Sequence, residues 1–103
     1  MLSGLQVNVE AGSCTITGNT GTGVRVNSQG SLSLENGPLE VSNNGRGVEC
    51  TSGSHVSFGG RPDVTAMNNT GGDLIANYQS TIRGYGNGTT GGCTADAHST
   101  CEP

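Results

Sequence analysis

The residues of this chain that could do chemistry are few and widely spaced. Glu10 with Glu35 and Arg25 with Glu49 are two pairs set at nearly the same separation along the chain, and His55, Asp63 and Arg83 form the only other titratable collection. Two carboxylates on one outer face, or a carboxylate beside an Arg, would suit acid–base cleavage of a glycosidic bond. Tyr78 and Tyr85 offer a different chemistry, because exposed aromatic rings stack on sugar CH groups. Together with His55 and Arg83 they make the candidate glycan-contact set. Cys93 and Cys101 enclose Asp96 and His98 in the segment GGCTADAHSTCEP. That segment reads as a local disulfide, as a metal site through Cys93, His98, Cys101 and Asp96, or as a flexible thiol-bearing tail; the spacing matches no common zinc module.

Each of these has a plainer reading. Glu10 with Glu35 suits a solvated corner, Arg25 with Glu49 a surface ion pair of little energetic weight, and His55 with Arg83 a polar surface. No catalytic residue, resident metal or cofactor is assigned.

What would position these groups is a repeat. Cys14, Leu39 and Val64 fall in one evenly spaced column, Ile16, Val41 and Ala66 in the next, and Asn19, Asn44 and Asn69 in a third. A fixed period of about 25 residues, with apolar positions in register, marks a solenoid. Within each repeat apolar residues alternate with polar ones, as in Val24–Arg25–Val26 and Leu32–Ser33–Leu34, which is the period of a half-buried strand. The strands are three to five residues long and separated by Gly, Asn or Pro: Gly12, Gly18, Gly23, Gly30, Gly37 with Pro38, Gly47, Gly53 and Gly72. Recurrence at every third strand predicts three strands per rung, each pairing in parallel with its equivalent one rung away. Val7, Leu32, Val56 and Ile82 then stack inward in one column, and Val24, Val48 and Leu74 in another. Cys14 and Cys50 read as small buried hydrophobes. The Asn column is expected to be a structural ladder at a sharp corner, where Asn tolerates a left-handed backbone and its amide can bond the amides above and below.

The segments TITGNTGTGVRV, LEVSNNGRGVEC and VTAMNNTGGDLIA resemble rungs of the right-handed parallel β-helix proteins of the pectate-lyase-like superfamily. The resemblance covers roughly residues 5–84. It implies an all-β fold, a right-handed parallel β-helix (solenoid) of about three rungs of roughly 25 residues with three short strands per rung. Residues 1–84 would form the rungs and residues 85–103 a Gly/Thr-rich C-terminal extension carrying two Cys. The superfamily includes polysaccharide lyases and hydrolases, phage tailspikes and surface adhesins, but no acidic cluster of its enzymes is visible here.

Composition narrows the classes. Only 30% of the 103 residues are hydrophobic, too few for an ordinary compact core, yet at 12% charge and a net charge of −4 the chain does not read as disordered either. Four Lys and Arg against eight Asp and Glu offer no basic stripe for nucleic acid. The apolar runs are too short to span a membrane. No signal peptide is expected, and the repeat already running at the N-terminus suggests a piece of a larger chain. Thr15 and Thr65, with Glu40 between them, do not form the Thr ranks of an ice-binding face.

A coil this short leaves two open ends. The expected partners are therefore other copies, with a homo-trimer favoured and outward Ile75 in the contact, or the rest of a larger chain. The expected function is that of a non-catalytic module of a virion tail fibre or spike, or of a surface adhesin. It would be extracellular or on the virion surface, with a surface polysaccharide as candidate ligand. The alternative is a fragment of a polysaccharide lyase or glycoside hydrolase built on the same scaffold.

Overall fold

The computed structural model of the chain describes residues 2–3, 6–9, 14–34, 38–59, 64–84 and 92–102. Glu10, Glu35, Asp63 and Tyr85 lie outside the described residues. Among the described residues every regular element is a strand: β1 (Leu2–Ser3), β2 (Gln6–Val9), β3 (Cys14–Thr17), β4 (Thr22–Asn27), β5 (Ser31–Leu34), β6 (Leu39–Ser42), β7 (Arg46–Cys50), β8 (His55–Ser57), β9 (Val64–Met67), β10 (Leu74–Ala76), β11 (Thr81–Arg83), β12 (Cys93–Ala95) and β13 (Thr100–Glu102). No helix there is long and apolar enough to cross a membrane.

The strands form three separate sheets, all of their pairings parallel. Sheet I has the order β1-β4-β7-β10-β12, sheet II the order β13-β11-β8-β5-β2, and sheet III the order β3-β6-β9. From β1 to β11 the chain visits sheets I, II and III in turn, an arrangement compatible with a β-helix-like fold. The register joins residues one repeat apart. Val7 pairs with Leu32, Leu32 with Val56 and Val56 with Ile82 in sheet II. Val24 pairs with Val48 and Val48 with Leu74 in sheet I, while Cys14, Leu39 and Val64 line up in sheet III.

One apolar cluster gathers residues from all three sheets. Val26, Val48, Cys50, Leu74 and Ala76 come from sheet I, Leu32, Val56 and Ile82 from sheet II, and Leu39, Val41, Val64 and Ala66 from sheet III, with Phe58 just after β8. Short strands with one buried face suffice because each strand's inward residues meet those of the other two sheets, so a small apolar content is concentrated in one place. Cys50 is fully buried, whereas Cys14 is only partly so. Cys14 belongs to β3, the first strand of its sheet, which has a neighbour on one side only.

Three details differ from the sequence expectation. Gly23 and Gly47 lie inside β4 and β7 instead of between strands. The left-handed residue at the corner leading into sheet I is Gly18 (φ 79°), Asn43 (φ 57°) and Asn68 (φ 59°), one position before each column asparagine. The ladder asparagines are thereby freed from the turn and turned to bonding. Finally, the segment past residue 84 contributes strands of its own: β12 pairs with β10 and β13 with β11.

Candidate functional site

Asn19, Asn44 and Asn69 do form a ladder. Asn44 Oδ1 accepts from the backbone N–H of Asn19 (3.0 Å) and from its side-chain amide (2.9 Å). Asn69 Oδ1 accepts from the backbone N–H of Asn44 at 3.0 Å. The amide nitrogens point the other way, Asn44 Nδ2 donating to the Ile16 carbonyl and Asn69 Nδ2 to the Val41 carbonyl at 3.0 Å. Asp73 closes the series, its Oδ1 accepting from both the backbone N–H and the amide of Asn69. Buried backbone groups at a corner need partners, and an amide can both donate and accept.

A second ladder, which the repeat did not point to, lies at the corner between sheets I and II. Gly30 N–H donates to Ser54 Oγ (3.1 Å), Ser54 N–H to Ser80 Oγ (3.2 Å) and Ser80 N–H to Ser99 Oγ (3.2 Å). Ser54 and Ser80 are buried. Its sequence trace is faint because glycine heads the column and because its steps of 24 and 26 positions shorten to 19 between Ser80 and Ser99.

The described carboxylates are all engaged. Arg25 pairs with Glu49 as the alignment suggested (Nε–Oε1 3.1 Å), but the exposure differs: Glu49 is only 5% exposed and takes a second guanidinium from Arg46. Glu40 accepts from the Ser42 hydroxyl, Asp73 serves the asparagine ladder, and Asp96 binds backbone. Glu102 on β13 lies 3.8 Å from Arg83, both more than half exposed. Sheet II therefore carries His55, Arg83 and Glu102 on one outward face, in the register Ser31–His55–Thr81–Thr100 and Ser33–Ser57–Arg83–Glu102. Tyr78 is not on that face. It sits 70% exposed at the corner leading into it.

Cys93 and Cys101 are joined in a disulfide with Cα atoms 6.0 Å apart. It ties β12 to β13, and both sulfurs are thereby withdrawn from metal ligation. No group of three His, Cys, Asp or Glu poised for a metal occurs among the described residues.

Cys50 is a buried thiol. Desolvation raises its pKa from 9.0 to about 11, against the opposing hydrogen bonds to Ser80 and to the Thr81 carbonyl. A folded pKa above the unfolded one contributes stability in full below about pH 9, and that stability is lost as pH rises toward 11. A two-unit shift corresponds to about 2–3 kcal/mol. Unfolding free energy should therefore fall by that order between pH 8.5 and 11 in the native chain and much less in Cys50→Ala. Equal slopes in urea titrations of the two proteins would refute this assignment.

No protein-family model, curated protein or solved structure matches this chain.

Proposed function

We propose that the three parallel sheets are the faces of one right-handed β-helix, and that this coil is a non-catalytic module of a virion tail fibre or spike, or of a surface adhesin. The coil is supported by the regular return of the chain to each sheet and by one core shared among all three. Right-handedness follows from the strong preference of parallel crossovers.

The observation that carries the non-catalytic reading is the state of the acids. Each described carboxylate is held by an arginine, a hydroxyl, an amide or backbone N–H groups. General acid–base work needs a carboxyl aimed at substrate, whereas Glu49, Asp73 and Asp96 are committed to structural bonds and Glu40 accepts from Ser42. Two hydrogen-bonded ladders and a disulfide suit a rigid extracellular part. Parallel sheet edges at either end of the coil suit end or side contact with other copies, a trimer above all.

One observation favours the enzymatic alternative: Glu102 joins His55 and Arg83 on the outward face of sheet II. A single comparison separates the two readings. The protein is incubated with acidic and neutral polysaccharides while unsaturated and reducing ends are measured, and its mass is determined by light scattering. The fibre reading expects no release and a mass three times that of the chain. Release that disappears in Glu102→Gln would replace it with the enzyme.

A further inference from the structure

The corner between sheets I and II carries a groove of about 530 Å3, lined by Gln29, Ser52, Tyr78, Gln79, Asp96 and His98. We propose that this groove is a binding site for an uncharged oligosaccharide, with Tyr78 as the stacking platform and the Gln29 and Gln79 amides as hydroxyl partners. The proposal rests on the glycan-contact part of the reading above and moves the contact away from the sheet II face to a defined corner.

Several independent features meet there. Tyr78 is a large apolar side chain left 70% exposed, where burial would have been the default for a ring. Its backbone has φ 56° and that of Gln79 φ 65°, two successive left-handed residues without glycine. For a bulky residue this is costly and persists only where surrounding bonds enforce it. Here they do. The Tyr78 N–H donates to Asp96 Oδ2 at 2.8 Å, and the Tyr78 carbonyl accepts from the Gly53 N–H at 2.8 Å. Asp96 Oδ1 is taken by the His98 N–H at 3.1 Å, so both oxygens of this carboxylate are spent on holding the corner.

The same left-handed pair recurs one rung back at Ser52 and Gly53, and two rungs back at Ser28 and Gln29. Gly53 has no side chain, and the space beside it is bordered by the Gln29 side chain at 3.6 Å from where a Cβ would stand. Large residues on the outer rungs and small ones on the middle rung leave a depression between Tyr78–Gln79 and Gln29. Its size falls in the range of small-ligand sites, and an exposed ring beside amides suits stacking on a sugar with hydrogen bonds to its hydroxyls.

The charge around the groove selects the ligand class. Among the described residues no Arg or Lys lines it. The carboxyl of Asp96 is held below its ordinary range, first by the Ser99 hydroxyl and then by the Tyr78 N–H, so it stays ionised. An acidic sugar would meet a fixed negative charge with no Arg or Lys beside it. The arginines Arg25 and Arg46 border a different depression and are committed to Glu49.

The test is binding of the intact protein, by calorimetry and saturation-transfer NMR, to maltotriose, cellotriose, chitotriose and lactose, with trigalacturonate and sialyllactose as acidic probes. Tyr78→Ala and Tyr78→Gly are compared with His55→Ala and Arg83→Ala, and thermal melts establish that each is folded. Tyr78→Gly accepts the left-handed backbone, so it keeps the experiment decisive if Tyr78→Ala folds poorly. The inference expects a neutral probe to bind, both Tyr78 variants to weaken it by about tenfold or more, and the two sheet II variants to stay within about twofold. Binding that is lost in His55→Ala or Arg83→Ala but kept in the Tyr78 variants would overturn the corner site while leaving glycan contact standing. Binding of acidic probes alone would overturn the ligand class. Binding of none would overturn the glycan contact and the corner site together.

Discussion

Asn69→Ala is expected to lower the unfolding free energy by about 3–5 kcal/mol, a large share of the 5–15 kcal/mol typical of a single domain. The alanine leaves the Asn44 N–H without its partner and takes one donor from the Val41 carbonyl, and both belong to residues at most 2% exposed. It also strips the amide donor from Asp73. Each unsatisfied buried group costs about 1–3 kcal/mol, because water cannot reach it to replace the lost bond.

The ladder predicts a gradient as well as a magnitude. Asn19 is exposed and, among the described residues, donates both its N–H and its side-chain amide to Asn44, so Asn19→Ala should cost less than about 1 kcal/mol, as water replaces the lost bonds. Asn44→Ala should fall between the two. Urea denaturation of the three variants decides the matter. Equal losses at all three positions would show that the amides act as independent surface groups and would dismiss the ladder as a source of stability.

Gly47→Ala is expected to destabilise by about 3 kcal/mol or more, comparable to a severe overpacking substitution. A Cβ on Gly47 would lie 2.2 Å from the Asp73 carbonyl oxygen and 2.8 Å from Asn69 Nδ2. The nearer obstacle is backbone just before the adjacent strand β10, already bonded to Val48 N–H at 2.8 Å, so it cannot swing aside as a side chain would. The asparagine amide fills part of the space that a methyl group would need, as the Asn44 amide does beside Gly23. Gly21→Ala is the control: nothing lies within 4 Å of its Cβ position, and the substitution should be neutral or slightly stabilising, by less than about 1 kcal/mol. A melting temperature that drops equally in both variants would count against steric exclusion.

How much of this can be read from residue order depends on the distance over which the cause acts. The inward columns and the asparagine ladder were visible because a parallel ladder sets each residue beside its equivalent, so spacing along the chain maps directly onto contact in space. Gly47 was misplaced for the opposite reason. Glycine ordinarily punctuates turns, and nothing local distinguishes one that yields room to an amide from the next repeat. Glu49 was aligned with Arg25 correctly, but its burial depends on Arg46 three residues away folding over it and on its place between Arg25 and Ile75 in the sheet. The strands beyond residue 84 left little trace in residue order. They are held by backbone pairing, by the Asp96 and Ser99 side chains and by a disulfide, none of which leaves a hydrophobic pattern.

Residue order alone thus specified short strands, their inward faces, the length of the repeat and the stacked asparagines. These are properties of periodicity, which a one-dimensional string carries in full. Three-dimensional packing settled the rest: which glycines stand beneath amides, the enclosure of Glu49, the serine ladder, and the groove that places Tyr78 beside Asp96 and His98. Each of those depends on groups from different repeats and corners meeting at one point, and for the groove and the last step of the serine ladder the segment that carries β12 and β13 supplies them.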